Sequence, residues 1–92
     1  MIVRIMGEGQ FTVASALLDR LNEIDNKIVV EVGKGNEARV REMLCEMIAL
    51  VKREAVPLDP QEILSSDVII PPEDLNLEEA RKIFTGAGII PD

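Results

Sequence analysis

The stretch that decides the fold is "SALLDRLNEIDNKIVVEVGKGNEARVREMLCEMIALVKRE", residues 15–54, because it contains two amphipathic helical patterns joined by glycines. In both halves apolar residues recur at three- and four-residue steps, the period of one helix face. The first half carries Leu17, Leu21, Ile24, Ile28 and Val32, and the second carries Val40, Met43, Leu44, Met47, Ile48 and Val51. Two helices with so short a joint predict an antiparallel helical hairpin.

Residues that favour helix ends stand at the borders of both patterns. Ser15 is the predicted N-cap of the first helix, and Gly33 and Gly35 are its predicted stops. Asn36 is the predicted N-cap of the second helix. Glu37 and Arg41 have the i,i+4 spacing of an ion pair on the surface of that helix.

Short strand patterns flank the helices. Residues 1–13, "MIVRIMGEGQFTV", combine β-branched residues with a Gly7-Glu8-Gly9 turn and predict a β-hairpin. Beyond residue 54, two prolines exclude a long helix, and Asp59-Pro60 predicts a single helical turn through Leu64. Val68, Ile69 and Ile70 predict a third strand, which Pro71-Pro72 ends.

A last short helix is predicted after Asn76, because Asn76 and Glu79 have the spacing of a capping box. Gly86 is its predicted end, and its predicted core-facing residues are Ala80, Ile83 and Phe84. The sequence thus predicts one α+β domain over residues 1–92. A small antiparallel or mixed sheet, made of the 1–13 hairpin and a strand near 68–70, is covered by the antiparallel helical hairpin of residues 15–54 and a short C-terminal helix. Residues 55–92 form an acidic strand, helix and tail segment.

The composition limits the function. Two Phe and no Trp, Tyr or His leave an aliphatic core, and a net charge of -7 repels phosphate, so we expect no nucleic-acid binding. The single cysteine excludes an internal disulfide, and no apolar stretch approaches the roughly 20 residues that span a bilayer. We therefore expect a cytoplasmic protein without direct membrane insertion, which reaches a membrane only through a partner.

The excess of acid lies in one part of the chain. Residues 1–53 contain eight acidic and eight basic side chains, whereas residues 54–92 contain nine acidic and two basic ones. The simpler interpretation is a solubilising acidic face, and the alternative is a surface for an electrostatically chosen partner.

Groups with catalytic chemistry are few. Without histidine the commonest general base is absent, and Cys45, beside the apolar face of the second helix, is interpreted as a small buried hydrophobe rather than a nucleophile. Met6, Met43 and Met47 are typical of core packing, with an adaptable binding groove as the alternative. The sequence predicts a protein that is not an enzyme and holds no cofactor.

Several carboxylates follow residue 58, and such groups attract Ca²⁺ or Mg²⁺. They lack the spacing of an EF-hand, so they are only weak candidates for a cation site. These weak metal-ligand candidates are Asp59, Glu62, Asp67, Glu73 and Asp74. An acidic Ca²⁺-binding domain is the alternative function, and a non-catalytic subunit of another complex is a third.

Four stretches of the chain resemble the PspA-associated protein family, PspAA: "MIVRIMGEGQ", "ALLDRLNEIDNKIV", "SSDVIIPPEDLNLEEARKIF" and "GAGIIPD". The resemblance covers nearly the whole chain, is specific at its ends and is loose in the second helix. The family consists of small prokaryotic proteins linked to PspA, a coiled-coil phage-shock protein related to the ESCRT-III superfamily. The resemblance implies an accessory protein of the envelope-stress response that binds PspA-like helices and has no catalytic residues.

The tail contains a second Ile-Ile-Pro, after the one at residues 69–71. Ile89 and Ile90 either close the domain's own core or insert into a partner. The residues predicted to bind a partner are Glu73, Asp74, Glu78, Glu79, Ile89 and Ile90. A homodimer, formed through sheet edges or the methionine-bearing helix face, is a further expectation.

Overall fold

The computed structural model describes residues 1–59, 61, 64–84 and 88–90, and these residues build a four-stranded sheet and three helices. The strands are β1 (Ile2–Ile5), β2 (Gly9–Thr12), β3 (Val56–Pro57) and β4 (Val68–Ile70). The helices are α1 (Ser15–Lys34), α2 (Glu37–Glu54) and α3 (Leu77–Ile83). The predicted α+β fold, with its mixed sheet, helical hairpin and short C-terminal helix, is confirmed.

The sheet has the order β3-β2-β1-β4. β1 pairs antiparallel with β2, and its other side pairs parallel with β4, so that Val3 lies between Phe11 and Val68. The predicted hairpin and third strand are therefore confirmed. β3 was not predicted, because Pro57 lacks an amide donor, but at the edge of a sheet that donor is not needed.

The two faces of the sheet differ. The side chains of Val3, Ile5, Phe11, Val68 and Ile70 are buried against the helices, and the residues between them point away. On that outer face the Gln10 amide nitrogen donates to the Leu64 carbonyl at 2.7 Å and to the Ser66 hydroxyl at 2.8 Å. Leu64 and Ser66 therefore lie against the outer face.

The helical hairpin has the predicted length but different ends in detail. α1 begins after Ala14 rather than after Ser15, and Gly33 lies within the helix. Gly35 ends α1 at φ 72°, a left-handed conformation that favours glycine. The Asn36 side chain caps α2, and Glu37 pairs with Arg41 at 3.2 Å, both as predicted.

α3 is held at its start. Asn76 and Glu79 form the predicted capping box, in which each side chain accepts the other residue's amide, at 2.8 and 3.3 Å. Ala80 and Phe84 face the core as predicted, but Ile83 is 38% exposed, so its predicted core position is wrong. A helix of seven residues presents one narrow face, and Ala80 and Phe84 occupy it. The predicted stop at Gly86 and most of the predicted turn after Asp59 lie outside the described residues.

The sheet covers only part of the helical hairpin. Strands of three or four residues extend about 10 to 14 Å, whereas helices of 20 and 18 residues extend about 30 and 27 Å. The remaining helix surface is covered by Leu75, Ala80, Phe84 and Ile90, all of which belong to the same core cluster. Met43 and Met47 are buried in that core, so their helix face is not available to a second copy.

Candidate functional site

Three of the five candidate cation ligands, Asp59, Asp67 and Glu73, accept hydrogen bonds within the chain, and Asp74 is exposed. Asp67 accepts the Ile2 amide at 2.8 Å, and Asp59 accepts the Gln61 amide at 2.9 Å. Glu73 accepts a hydrogen bond from the Cys45 thiol at 2.9 Å, and Glu62 lies outside the described residues. Within the described part of the chain, no three histidine, cysteine or acidic residues lie close enough together to hold a metal ion. The cation-binding alternative therefore gains no support from the geometry.

The predicted partner-binding acids are brought together on one segment. Glu73, Asp74, Glu78 and Glu79 are all exposed, and we call residues 73–79 the acidic ridge. The ridge is fixed to α2 by two hydrogen bonds: Arg41 donates to the Leu75 carbonyl at 3.2 Å, and the Leu77 amide donates to Glu37 at 3.1 Å. These hydrogen bonds hold the charged segment against α2, which lowers the entropic cost of binding a partner.

Beside the ridge lies a shallow hollow of mixed apolar and charged lining, which we call the α2 groove. One part has a volume of about 550 Å³ and is lined by Cys45, Ile48, Ala49, Lys52, Arg53 and Glu73. A second part, of about 170 Å³, is lined by Ile5, Met6, Glu8, Ile48, Lys52, Pro72 and Glu73. Because the two parts share Ile48, Lys52 and Glu73, they form one surface, and Met6, 54% exposed, stands at its rim.

Cys45 lies in this groove, so its predicted burial is wrong. Position 45 falls between the buried residues Leu44 and Met47, just outside the apolar stripe of α2. The hydrogen bond to Glu73, then partial desolvation, then the negative charge of Glu73 raise the pKa of the Cys45 thiol. A thiol held protonated is a poor nucleophile.

The other end of α2 is basic. Lys52 pairs with Glu8 at 3.1 Å and so joins α2 to the β1–β2 turn across the groove. Arg20 binds Glu54 at 2.8 Å, and hydrogen bonds first from Arg20 and then from Arg53 lower the pKa of Glu54. The groove therefore runs from the acidic ridge toward Lys52 and Arg53, which are paired with Glu8 and Glu54.

The tail residues dock on their own chain. Asp25, completely buried on α1, accepts the Ile89 amide at 3.1 Å and the Ile90 amide at 3.0 Å. Ile90 is 2% exposed and Ile89 is partly buried against the core. Of the two predicted alternatives, Ile89 and Ile90 correspond to the first, because both pack against the chain's own core. Partner binding by the six predicted residues stays a prediction.

Sequence reasoning missed Asp25. The apolar stripe was assigned to Ile24, but the structure buries Asp25 and leaves Ile24 only partly buried. Position 25 is four residues after Leu21 and three before Ile28, so helical spacing places its carboxylate on the core face. A polar residue at a core-facing helical position was therefore the sequence feature that could have indicated a buried carboxylate.

None of the helices in the described ranges is long and apolar enough to span a membrane. Neither a search of curated proteins nor a search of solved structures gives a match to the chain. The model of one family, PspAA, described as PspA-Associated protein, matches residues 1–92. The chain therefore belongs to the PspA-associated protein family.

Proposed function

We propose that this protein is a non-enzymatic, cytoplasmic adaptor that binds a PspA-like coiled-coil protein in the response to membrane stress. The observation that carries the proposal is the family match over residues 1–92, since the family is described by its association with PspA. The adaptor role and the link to stress extend that description.

The acidic ridge and the α2 groove supply a surface suited to such a partner. A coiled-coil helix presents apolar side chains beside charged ones. Its basic side chains would meet Asp74 and Glu78, which form no ion pair with other described residues. Its apolar side chains would rest on Met6, Ile48 and Pro72. Charge then raises the association rate and selectivity, while the apolar contact supplies the buried anchor.

The charge difference along α2 favours one direction of the bound helix. A helix lying in the α2 groove has its basic end near the acidic ridge and its acidic end near Lys52 and Arg53, where it competes with their ion-pair partners Glu8 and Glu54. The reverse direction places like charges together, and such contacts are costly. The surface therefore selects orientation as well as partner.

The test is a charge reversal on the ridge. Asp74→Lys combined with Glu78→Lys removes two exposed acids without touching the capping box. A matched control, Asp19→Lys with Glu23→Lys, makes the same change of net charge on exposed positions of α1. Calorimetry with a PspA homologue from the same genome, at low and high salt, measures binding to each variant.

We expect the ridge variant to bind about tenfold or more weakly than the control at low salt, with the difference shrinking as salt screens the charges. Equal loss of affinity in both variants would show that the partner does not bind at the ridge. Absence of binding by the unmodified chain at any salt concentration would overturn the proposed function.

A further inference from the structure

Asp25 and the buried position of Ile90 form a binding site that the proposed function does not use. We call them the clasp site. Asp25 lies on the core-facing side of α1, between Leu21 and Ile28, and its side chain is completely buried. Its two carboxylate oxygens each accept one of two consecutive backbone amides, from Ile89 and Ile90, at 3.1 and 3.0 Å.

A buried carboxylate needs a compensating interaction. Removing a carboxylate from water is costly unless hydrogen bonds replace the water, and an apolar residue would fill the stripe of α1 without that cost. Consecutive backbone N–H groups form a concave arrangement that binds anions. The two oxygens of Asp25 hold the Ile89 and Ile90 amides, so the clasp site recognises a bent peptide segment through its main chain.

The clasp site also selects the segment that it holds. Gly88 has φ 92°, and a Cβ atom there would lie 2.6 Å from Oδ1 of Asp25 and closer still to Oδ2, so a side chain at that position is excluded. Two residues later, Ile90 is buried in the core. The site thus requires a glycine, two free amides and an apolar side chain at the second position after the glycine.

We propose that the clasp site of one chain also accepts residues 88–90 of a second copy, so that two chains join by exchanging these segments. A second copy carries the same glycine, amides and isoleucine, and each contact made within one chain can be made between two. Within one chain the segment is present at an effective concentration in the millimolar range. The exchange therefore emerges when a chain's own segment cannot occupy its own site.

Two single variants isolate the exchange. Asp25→Ala destroys the clasp site but keeps an intact segment, and Gly88→Ala keeps the site but prevents its own segment from entering. We expect each variant alone to sediment at the monomer mass. We expect an equimolar mixture to double in mass, because the segment of the Asp25→Ala chain fits the site of the Gly88→Ala chain. Mixing Asp25→Ala with the Asp25→Ala/Gly88→Ala double variant is the control, since neither chain then has a site.

A mixture that stays at the monomer mass at about millimolar concentration, with both variants folded by circular dichroism, overturns the proposal. If either variant fails to fold, a peptide with the sequence of residues 86–92 is titrated into the unmodified chain. We expect weak, saturable binding in about the millimolar range, because the chain's own segment competes. The same peptide with alanine in place of Gly88 must not bind. Equal behaviour of the two peptides contradicts the proposal as firmly as a failed mixture.

Discussion

Two copies of Ile-Ile-Pro, beginning at Ile69 and at Ile89, are placed in the core by different means. In both copies the second isoleucine is buried: Ile70 is 1% exposed and Ile90 is 2% exposed. Ile70 belongs to β4, whose backbone pairs with β1, and the Met6 amide donates to its carbonyl at 3.1 Å. Ile90 belongs to no strand, and one side chain, Asp25, accepts its amide and the amide before it.

The difference teaches how a core position depends on its support. A strand distributes its backbone hydrogen bonds over several residues, so losing one side chain leaves the ladder in place. The clasp concentrates two hydrogen bonds on one carboxylate, so a single substitution releases the whole segment. We therefore expect the position of the first copy to depend on its own buried side chain, Ile70. The position of the second copy should depend on Asp25, a residue distant in sequence.

The largest expected effect is in the first copy. Ile70→Ala leaves a cavity that the sheet and helices cannot close, and we expect the free energy of unfolding to fall by about 4 kcal/mol. Urea denaturation followed by circular dichroism measures the change. A loss below about 1 kcal/mol would show that β4 is not a fixed part of the core.

The second largest effect is expected at the support of the second copy. Asp25→Ala leaves two amides without their acceptor, and we expect a loss of about 3 kcal/mol in the free energy of unfolding. Asp25→Asn, which keeps one acceptor oxygen, should lose about half as much. If both variants are as stable as the unmodified chain, the clasp does not hold the tail.

A smaller effect is expected at the apolar side chain of the second copy. Ile90→Ala should cost about 2 kcal/mol in the free energy of unfolding, because a short segment can move away instead of leaving a rigid cavity. Hydrogen exchange of the Ile89 and Ile90 amides measures the release directly. A cost as large as that of Ile70→Ala would mean that both copies are held equally firmly.

The smallest effect is expected at the first isoleucine of the strand copy. Ile69 is 54% exposed on the outer face of the sheet, so Ile69→Ala should change the free energy of unfolding by less than about 0.5 kcal/mol. Thermal melts of Ile69→Ala and Ile70→Ala, side by side, check that burial rather than strand propensity sets the cost. A large loss at Ile69 would indicate a contact that covers this face in solution.

The elements with a regular period could be predicted from the sequence. The helical hairpin, the β-hairpin, β4 and the capping box of α3 each follow from a pattern among residues that are close together in the sequence. β3 could not be predicted, because two residues with a proline have no period and pair only where an edge is free. Whether so short a strand forms is therefore decided by the tertiary structure around it.

Single side chains were harder to predict than elements. Asp25 is polar, so periodicity placed the stripe on its neighbour Ile24, although the carboxylate of Asp25 is buried and accepts the Ile89 and Ile90 amides. Cys45 and Ile83 border apolar stripes, where a small rotation of the helix decides between burial and exposure. The acids of the ridge were predicted as a group, but their attachment to α2 through Arg41 and Glu37 depends on the fold.

The central position of β1 has a consequence for folding. Its first partner, β2, follows within a few residues, but its second, β4, is distant in sequence: Val3 pairs with Val68. Closing such a long loop is slow compared with forming the helices and the hairpin. During synthesis, the edge of β1 stays open until the residues of β4 have emerged. A newly made chain therefore passes through a period in which an apolar strand edge can pair with a neighbour, and the yield of folded protein should fall as the rate of expression rises.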